Sequence, residues 1–147
     1  MRSRLFGLPL MMLLVLTAAP ALPQYDTRSV WDGVYTAEQA DRGQPLYRKE
    51  CASCHGDQLT GGEAAPPLAG GVFLSNWNGL TVGDLFERIR KTMPQSKPGK
   101  LPRTTIADVT AFMLKVNEFP AGKEELSTKP EMLSQIQIES TKPEGKK

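Results

Sequence analysis

The chain has 147 residues, 39% hydrophobic and 23% charged, which suits one small domain rather than several. Its formal net charge of +2 includes Arg2 and Arg4; without them acid and base balance, which argues against nucleic-acid or membrane binding driven by excess charge. Two cysteines and one histidine are too few for a four-ligand structural zinc site.

Arg2 and Arg4 open the chain, Leu5 to Thr17 is mostly apolar, and Ala19-Pro20-Ala21 offers the small residues that a signal peptidase accepts. Residues 1–21 are read as a signal peptide cut after Ala21, because a cut after Ala19 would put Pro20 just past the scissile bond. The apolar run is short of the roughly 20 residues a spanning helix needs, and it contains Pro9. The mature chain is therefore expected to be periplasmic and without a membrane span, with an uncleaved anchor as the alternative. No cysteine follows the cut, which excludes a lipid anchor there.

Residues 22–35 hold Pro23, Asp32-Gly33 and isolated apolar residues without a repeat, and read as an extended lead-in. Trp31 and Tyr35 are expected to cover an edge of the fold. A first helix spans Thr36 to Glu50. Thr36 can cap it, Glu38 and Asp41 suit its positive end, and Ala37, Ala40, Gly43 and Tyr47 recur on one face. Pro45 lies inside it, where it deletes a backbone hydrogen bond at a cost of about 3 kcal/mol. A kink, or a helix regular on one side only, is expected there.

Cys51-Ala52-Ser53-Cys54-His55 follows, and Cys-x-x-Cys-His reads as the attachment site of a c-type haem. Two thiols in a tight turn can each form a thioether with a haem vinyl group, and the next residue can then bind iron through its imidazole. The rival readings are weak. Zinc lacks ligands, a thioredoxin-like pair lacks a βαβ setting, and a Cys51–Cys54 disulfide closes too small a ring to stabilise much.

Residues 55–80 form a long loop rich in Gly and Pro, and such a segment in so small a domain calls for something packed inside it. One flat apolar haem can replace the missing polypeptide core. Thr81 to Lys91 is a second helix, with Thr81 and Asp84 in capping-box positions and Val82, Leu85, Phe86 and Ile89 as its apolar stripe. Met93-Pro94 follows at once, then a loop with Pro98, Gly99 and Pro102. A third helix is expected from near Thr105, with Asp108 three residues on and Ile106, Val109, Phe112, Met113 and Val116 buried; Phe119-Pro120 ends it. Residues 121–147 form a polar tail, with 121–130 against the domain, a short strand at Ile136–Ile138, and disorder from Thr141.

His55 is the only histidine, so the second axial position falls to a methionine, a lysine, water or nothing. Met93 sits in a loop stiffened by Pro94. Met113 lies on an apolar helix face, where a core role is the default, and Met132 is in the tail. His/Met ligation raises the reduction potential, and two filled positions favour electron transfer over chemistry on bound oxygen or peroxide.

With helix, Cys-x-x-Cys-His, loop, Met-Pro and closing helix in that order, Thr36 to Phe119 resembles a class I cytochrome c. The fold implied is all-α, with three main helices and long loops around one covalently bound haem c. Within the family, the stretches VWDGVYTAEQADRG, PPLAG, FLSNWNG and TVGDLF are similar to bacterial periplasmic cytochromes found with quinoprotein (PQQ) dehydrogenases. The resemblance implies that Gly43 and Tyr47 meet Val109 and Phe112 of the closing helix. It also implies that the Pro66 carbonyl accepts a hydrogen bond from the iron-binding histidine, that Met93 is the sixth ligand, and that Trp77 reaches a haem propionate or packs on the haem edge.

The function expected is periplasmic electron transfer between redox proteins, a quinoprotein dehydrogenase and a terminal oxidase among them, as a free carrier or as a dehydrogenase's cytochrome subunit. A small peroxidase or a gas sensor is the alternative; the first would need acid-base residues beside an open iron, and no second histidine exists. Six cations, Arg88, Arg90, Lys91, Lys97, Lys100 and Arg103, stand in a window without Asp or Glu. They read either as a solvated face or as a basic rim that steers an acidic redox partner.

Overall fold

A computed structural model describes residues 27–63 and 65–145, so the signal-peptide reading of residues 1–21 lies outside the described residues. Helix α1 (Ala37–Glu50) starts where its capping signal sits, the Thr36 side chain accepting from the Gln39 N–H at 3.1 Å. The helix passes through Pro45 without interruption. That differs from a helix regular on one side only, one of the two outcomes expected at the proline. Pro45 and Asp41 are both exposed, so the Asp41 carbonyl, deprived of its N–H partner, faces a side of the helix where water can serve it.

A short turn, α2 (Ala52–His55), carries the two-cysteine motif. Helix α3 (Gly70–Trp77) then interrupts the segment expected to be a loop throughout. Its first N–H, from Gly70, is accepted by the Asn117 side chain at 3.0 Å rather than by a local cap. Helix α4 (Val82–Thr92) has the expected capping box: Thr81 Oγ1 accepts from the Asp84 N–H at 3.1 Å, and Asp84 accepts from the Thr81 N–H at 2.8 Å. Val82, Leu85, Phe86 and Ile89 are buried as its stripe requires.

Helix α5 (Arg103–Val116) begins two residues before the expected Thr105, with Pro102 at its cap and no side-chain cap. Asp108 is therefore no capping residue; its carboxylate pairs with Arg42 at 3.3 Å. Helices α1 and α5 cross closely, and Gly43 is the reason. A Cβ there would run into the Asp108 carbonyl, so any side chain would push the helices apart. Tyr47 packs on Phe112 with ring centroids 5.5 Å apart, and Val109 is buried beside this seam. Met113 is only 1% exposed, a core residue as its helical position implied.

The C-terminal segment is more deeply integrated than its polar composition implies. Gln39 and Leu126 exchange two hydrogen bonds, side chain to backbone, at 2.6 and 3.1 Å. Helix α6 (Pro130–Leu133) packs on α4, where Gly83 meets the Ser134 backbone. Strand β1 (Arg28–Ser29) pairs in parallel with β2 (Ile136–Gln137), Arg28 opposite Ile136. Leu126, Leu133, Ile136 and Ile138 are all buried. Trp31 and Tyr35 sit under this strap: the Trp31 indole N–H donates to the Glu139 carbonyl at 2.9 Å, and the Tyr35 hydroxyl to the Phe119 carbonyl at 2.5 Å.

Candidate functional site

The chain leaves α1 at Cys51 and immediately winds into α2. The N–H groups of Cys54 and His55 both donate to the Cys51 carbonyl, at 3.2 and 3.0 Å. This sets Cys51 and Cys54 one turn apart on a short rigid segment. Neither cysteine is in a disulfide; Cys51 is half-buried and Cys54 exposed. Burial pushes the Cys51 thiol up to about 11, with the neighbouring Glu50 charge adding to the effect. It is accordingly a thiol rather than a thiolate at neutral pH.

His55 is buried, and its Nδ1 lies 2.8 Å from the Pro66 carbonyl. A carbonyl only accepts, so Nδ1 carries the proton and Nε2 keeps its lone pair. Pro66 is held in place by its loop: Leu68 N–H donates to Leu59 O at 2.8 Å, Gly62 N–H to Ala65 O at 2.9 Å, and Gly61 N–H to His55 O at 2.9 Å. Gly61 has φ +73°, and a Cβ on it would stand 2.5 Å from the Pro67 nitrogen. Only glycine lets this loop close on the histidine.

Two supports were not legible as site residues. The Tyr47 hydroxyl, read as a packing aromatic alone, donates to the Gly56 carbonyl at 2.7 Å and so ties α1 to the turn after His55; burial raises its pKa. Asn117, just past α5, donates to the carbonyls of Leu68 and Met113 at 3.0 and 2.8 Å while capping α3. It fixes the far end of the loop that Pro66 belongs to. No periodicity marks either role; a buried asparagine past a helix end is the one signal available.

Met93 and Trp77 arrive on separate elements. Met93 caps the C-terminus of α4 in extended backbone, its N–H donating to Ile89 O at 2.9 Å, and the Met93–Pro94 bond is cis. Trp77 ends α3 and tilts against Phe73 at 6.1 Å. Both are half-buried and pack on the core rim, as do Cys51, Leu68, Leu74 and Leu101.

The donor set fits haem c: two unbridged thiols a turn apart, one imidazole with a fixed tautomer, one soft thioether, and an incompletely covered apolar rim. Among the described residues no cluster of three or more His, Cys, Asp or Glu offers a different metal centre. An open cavity of about 500 Å³ lies along Thr60–Glu63 and Ala65–Pro67. None of Cys51, Cys54, His55 or Met93 lines it, so it is not the place where this donor set acts.

The family model described as "Cytochrome C oxidase, cbb3-type, subunit III" matches residues 38–113, just over half of the chain. A solved structure titled "Crystal Structure of the Sulfane Dehydrogenase SoxCD from Paracoccus pantotrophus" is 23% identical to it. The match covers 84% of this chain and 68% of that one, at a TM-score of 0.48. No curated protein matches. The matched span runs from α1 through the Cys-x-x-Cys-His turn to α5, and on that ground the chain belongs to the cbb3-type subunit III family of c-type cytochromes, all-helical carriers of electrons by covalently bound haem c.

Proposed function

We propose that the chain is a periplasmic electron carrier with one haem c joined to Cys51 and Cys54, and with His55 and Met93 as its axial ligands. The observation that carries this reading is the 2.8 Å approach of His55 Nδ1 to the Pro66 carbonyl directly after two unbridged cysteines. When bound, haem supplies a one-electron Fe(III)/Fe(II) couple. The chain's own residues do the rest. The Pro66 carbonyl holds the imidazole in one tautomer and raises its donor strength. Met93 offers a neutral sulfur that favours the reduced state. Trp77, whose indole N–H has no partner among the described residues, is available to a propionate. The rim residues Leu68, Leu74 and Leu101 exclude water.

With both axial positions taken, the reading is of a carrier rather than a catalyst. Its partners are redox proteins, with a quinoprotein dehydrogenase as donor and a terminal oxidase as acceptor. The PPLAG, FLSNWNG and TVGDLF stretches support the first, and the oxidase named in the family's description supports the second. Among the described residues no helix is long and apolar enough to cross a membrane.

The attachment is tested by extraction. Acidic acetone is expected to leave haem on the wild-type polypeptide and to remove it from a Cys51→Ala, Cys54→Ala double variant. Haem released from the wild type would refute the thioether assignment.

A further inference from the structure

Between Met93 and α5 the chain runs through residues 94–102, and up to Pro102, whose carbonyl accepts from Ile106 N–H at 3.1 Å as α5 begins, its backbone hydrogen bonds are internal: Lys97 N–H to Pro94 O at 2.9 Å and Lys100 N–H to Lys97 O at 3.3 Å. Among the described residues, one polar side-chain contact ties residues 94–101 to another segment. Lys97 Nζ lies 2.8 Å from Glu50 Oε2, and Lys49 Nζ lies 3.7 Å from the other oxygen. Glu50 is the last residue of α1, directly before Cys51. Its side chain is only 10% exposed, against 49% for that of Lys97. A carboxylate so shielded from water binds a cation more firmly than an exposed one does, and it is costly to leave unpaired.

The pair therefore joins the segment that bears the thiols to the loop that follows Met93, across 47 residues of sequence. We propose that Glu50 and Lys97 are positioning residues, a latch that holds the Met93 loop closed and keeps the Met93 sulfur from giving way to outside ligands. This rests on the reading of Met93 as an axial ligand. Loss of either partner leaves the attachment turn intact, since the Cys51 carbonyl and Pro66 contacts do not involve Glu50's side chain. What it frees is the loop, and with it the fraction of time the sulfur is displaced.

The experiment uses ferric holoprotein and follows imidazole binding as loss of the near-infrared sulfur-to-iron band. Lys97→Gln and Glu50→Gln are each expected to speed imidazole entry about fivefold, the effect of losing one moderately shielded ion pair. The double variant is expected to be no faster than the faster single one, because both remove the same contact. Lys97→Arg, which keeps the charge, and Lys100→Gln, an exposed neighbour without an acidic partner among the described residues, are expected at the wild-type rate. Equal rates in the wild type and all five variants overturn the latch, as does a lower melting temperature with unchanged imidazole entry. A wild type without the band, or a Met93→Ala variant that keeps it, overturns the Met93 assignment instead.

Discussion

Single residues in this protein act both within one helical turn and across long stretches of chain, and Glu87 is the local case. Glu87 accepts two hydrogen bonds from Arg90, both 2.7 Å, and has Lys91 at 3.4 Å. The Arg90 hydrogen bonds, then Lys91, hold its carboxyl down to about 2. A carboxylate depressed in the folded state adds stability above its unfolded pKa and loses it as pH falls through the folded value. Glu87→Gln is accordingly expected to lower the melting temperature at pH 7, with the gap to wild type closing between about pH 4.3 and the folded value. Thermal unfolding across that range checks it; a gap that persists unchanged into strong acid contradicts it. His55, Cys51 and Cys54 were legible because their spacing alone states their chemistry. Asn117 and the Glu50–Lys97 pair were not, because their partners are 47 or more residues away in sequence.

At the scale of elements, legibility tracks where the stabilising partner sits. Helix α4 was readable from Thr81, Asp84 and a regular apolar stripe, all local. Helix α3 was not, because it starts at two glycines and takes its cap from Asn117. Helix α5 starts early, with Pro102 in extended backbone at its cap and its carbonyl accepting from Ile106 N–H at 3.1 Å, so no side-chain capping signal marks the start. The close crossing of α1 and α5 carries a test. Gly43→Ala is expected to cost about 3 kcal/mol, since a methyl there meets rigid backbone. Gly71→Ala in α3, where a Cβ meets nothing within 4 Å, is expected to be neutral or to gain up to about 1 kcal/mol. Denaturant unfolding of both distinguishes packing from helix propensity; equal effects would contradict the crossing.

Taken whole, the molecule closes on itself: residues near both ends of the described chain pair at β1 and β2, and the strap from Gly122 to Ile138 covers α4 and the lead-in. The alternation of Ile136 and Ile138 announced the strand, but Leu126 in polar surroundings and the Met132-Leu133 pair carry no period that announces the burial of Leu126 and Leu133. The basic window changes character in three dimensions. Arg90 and Lys91 share Glu87, and Lys97 is taken by Glu50, so Arg88, Lys100 and Arg103 are the exposed cations of the window that meet no acid among the described residues, Arg103 donating instead to the Thr128 carbonyl. A steering role therefore rests on those three, of which the Arg88 and Lys100 side chains are free of any polar partner among the described residues. The bimolecular rate with an acidic redox protein is expected to fall as salt shortens the screening length from about 30 to about 8 Å. Arg88→Glu with Lys100→Glu is expected to slow it at low salt without moving the potential. A rate indifferent to both returns the window to an ordinary solvated face.

The central claim is that one imidazole and one thioether of this chain occupy the two axial positions. The near-infrared sulfur-to-iron band of the ferric holoprotein tests it most directly. The band is expected in the wild type and in Met113→Leu, a nearly volume-conserving change in the core. It is expected to vanish in Met93→Ala, with a lower reduction potential. A band that survives Met93→Ala and disappears in Met113→Leu would contradict the assignment.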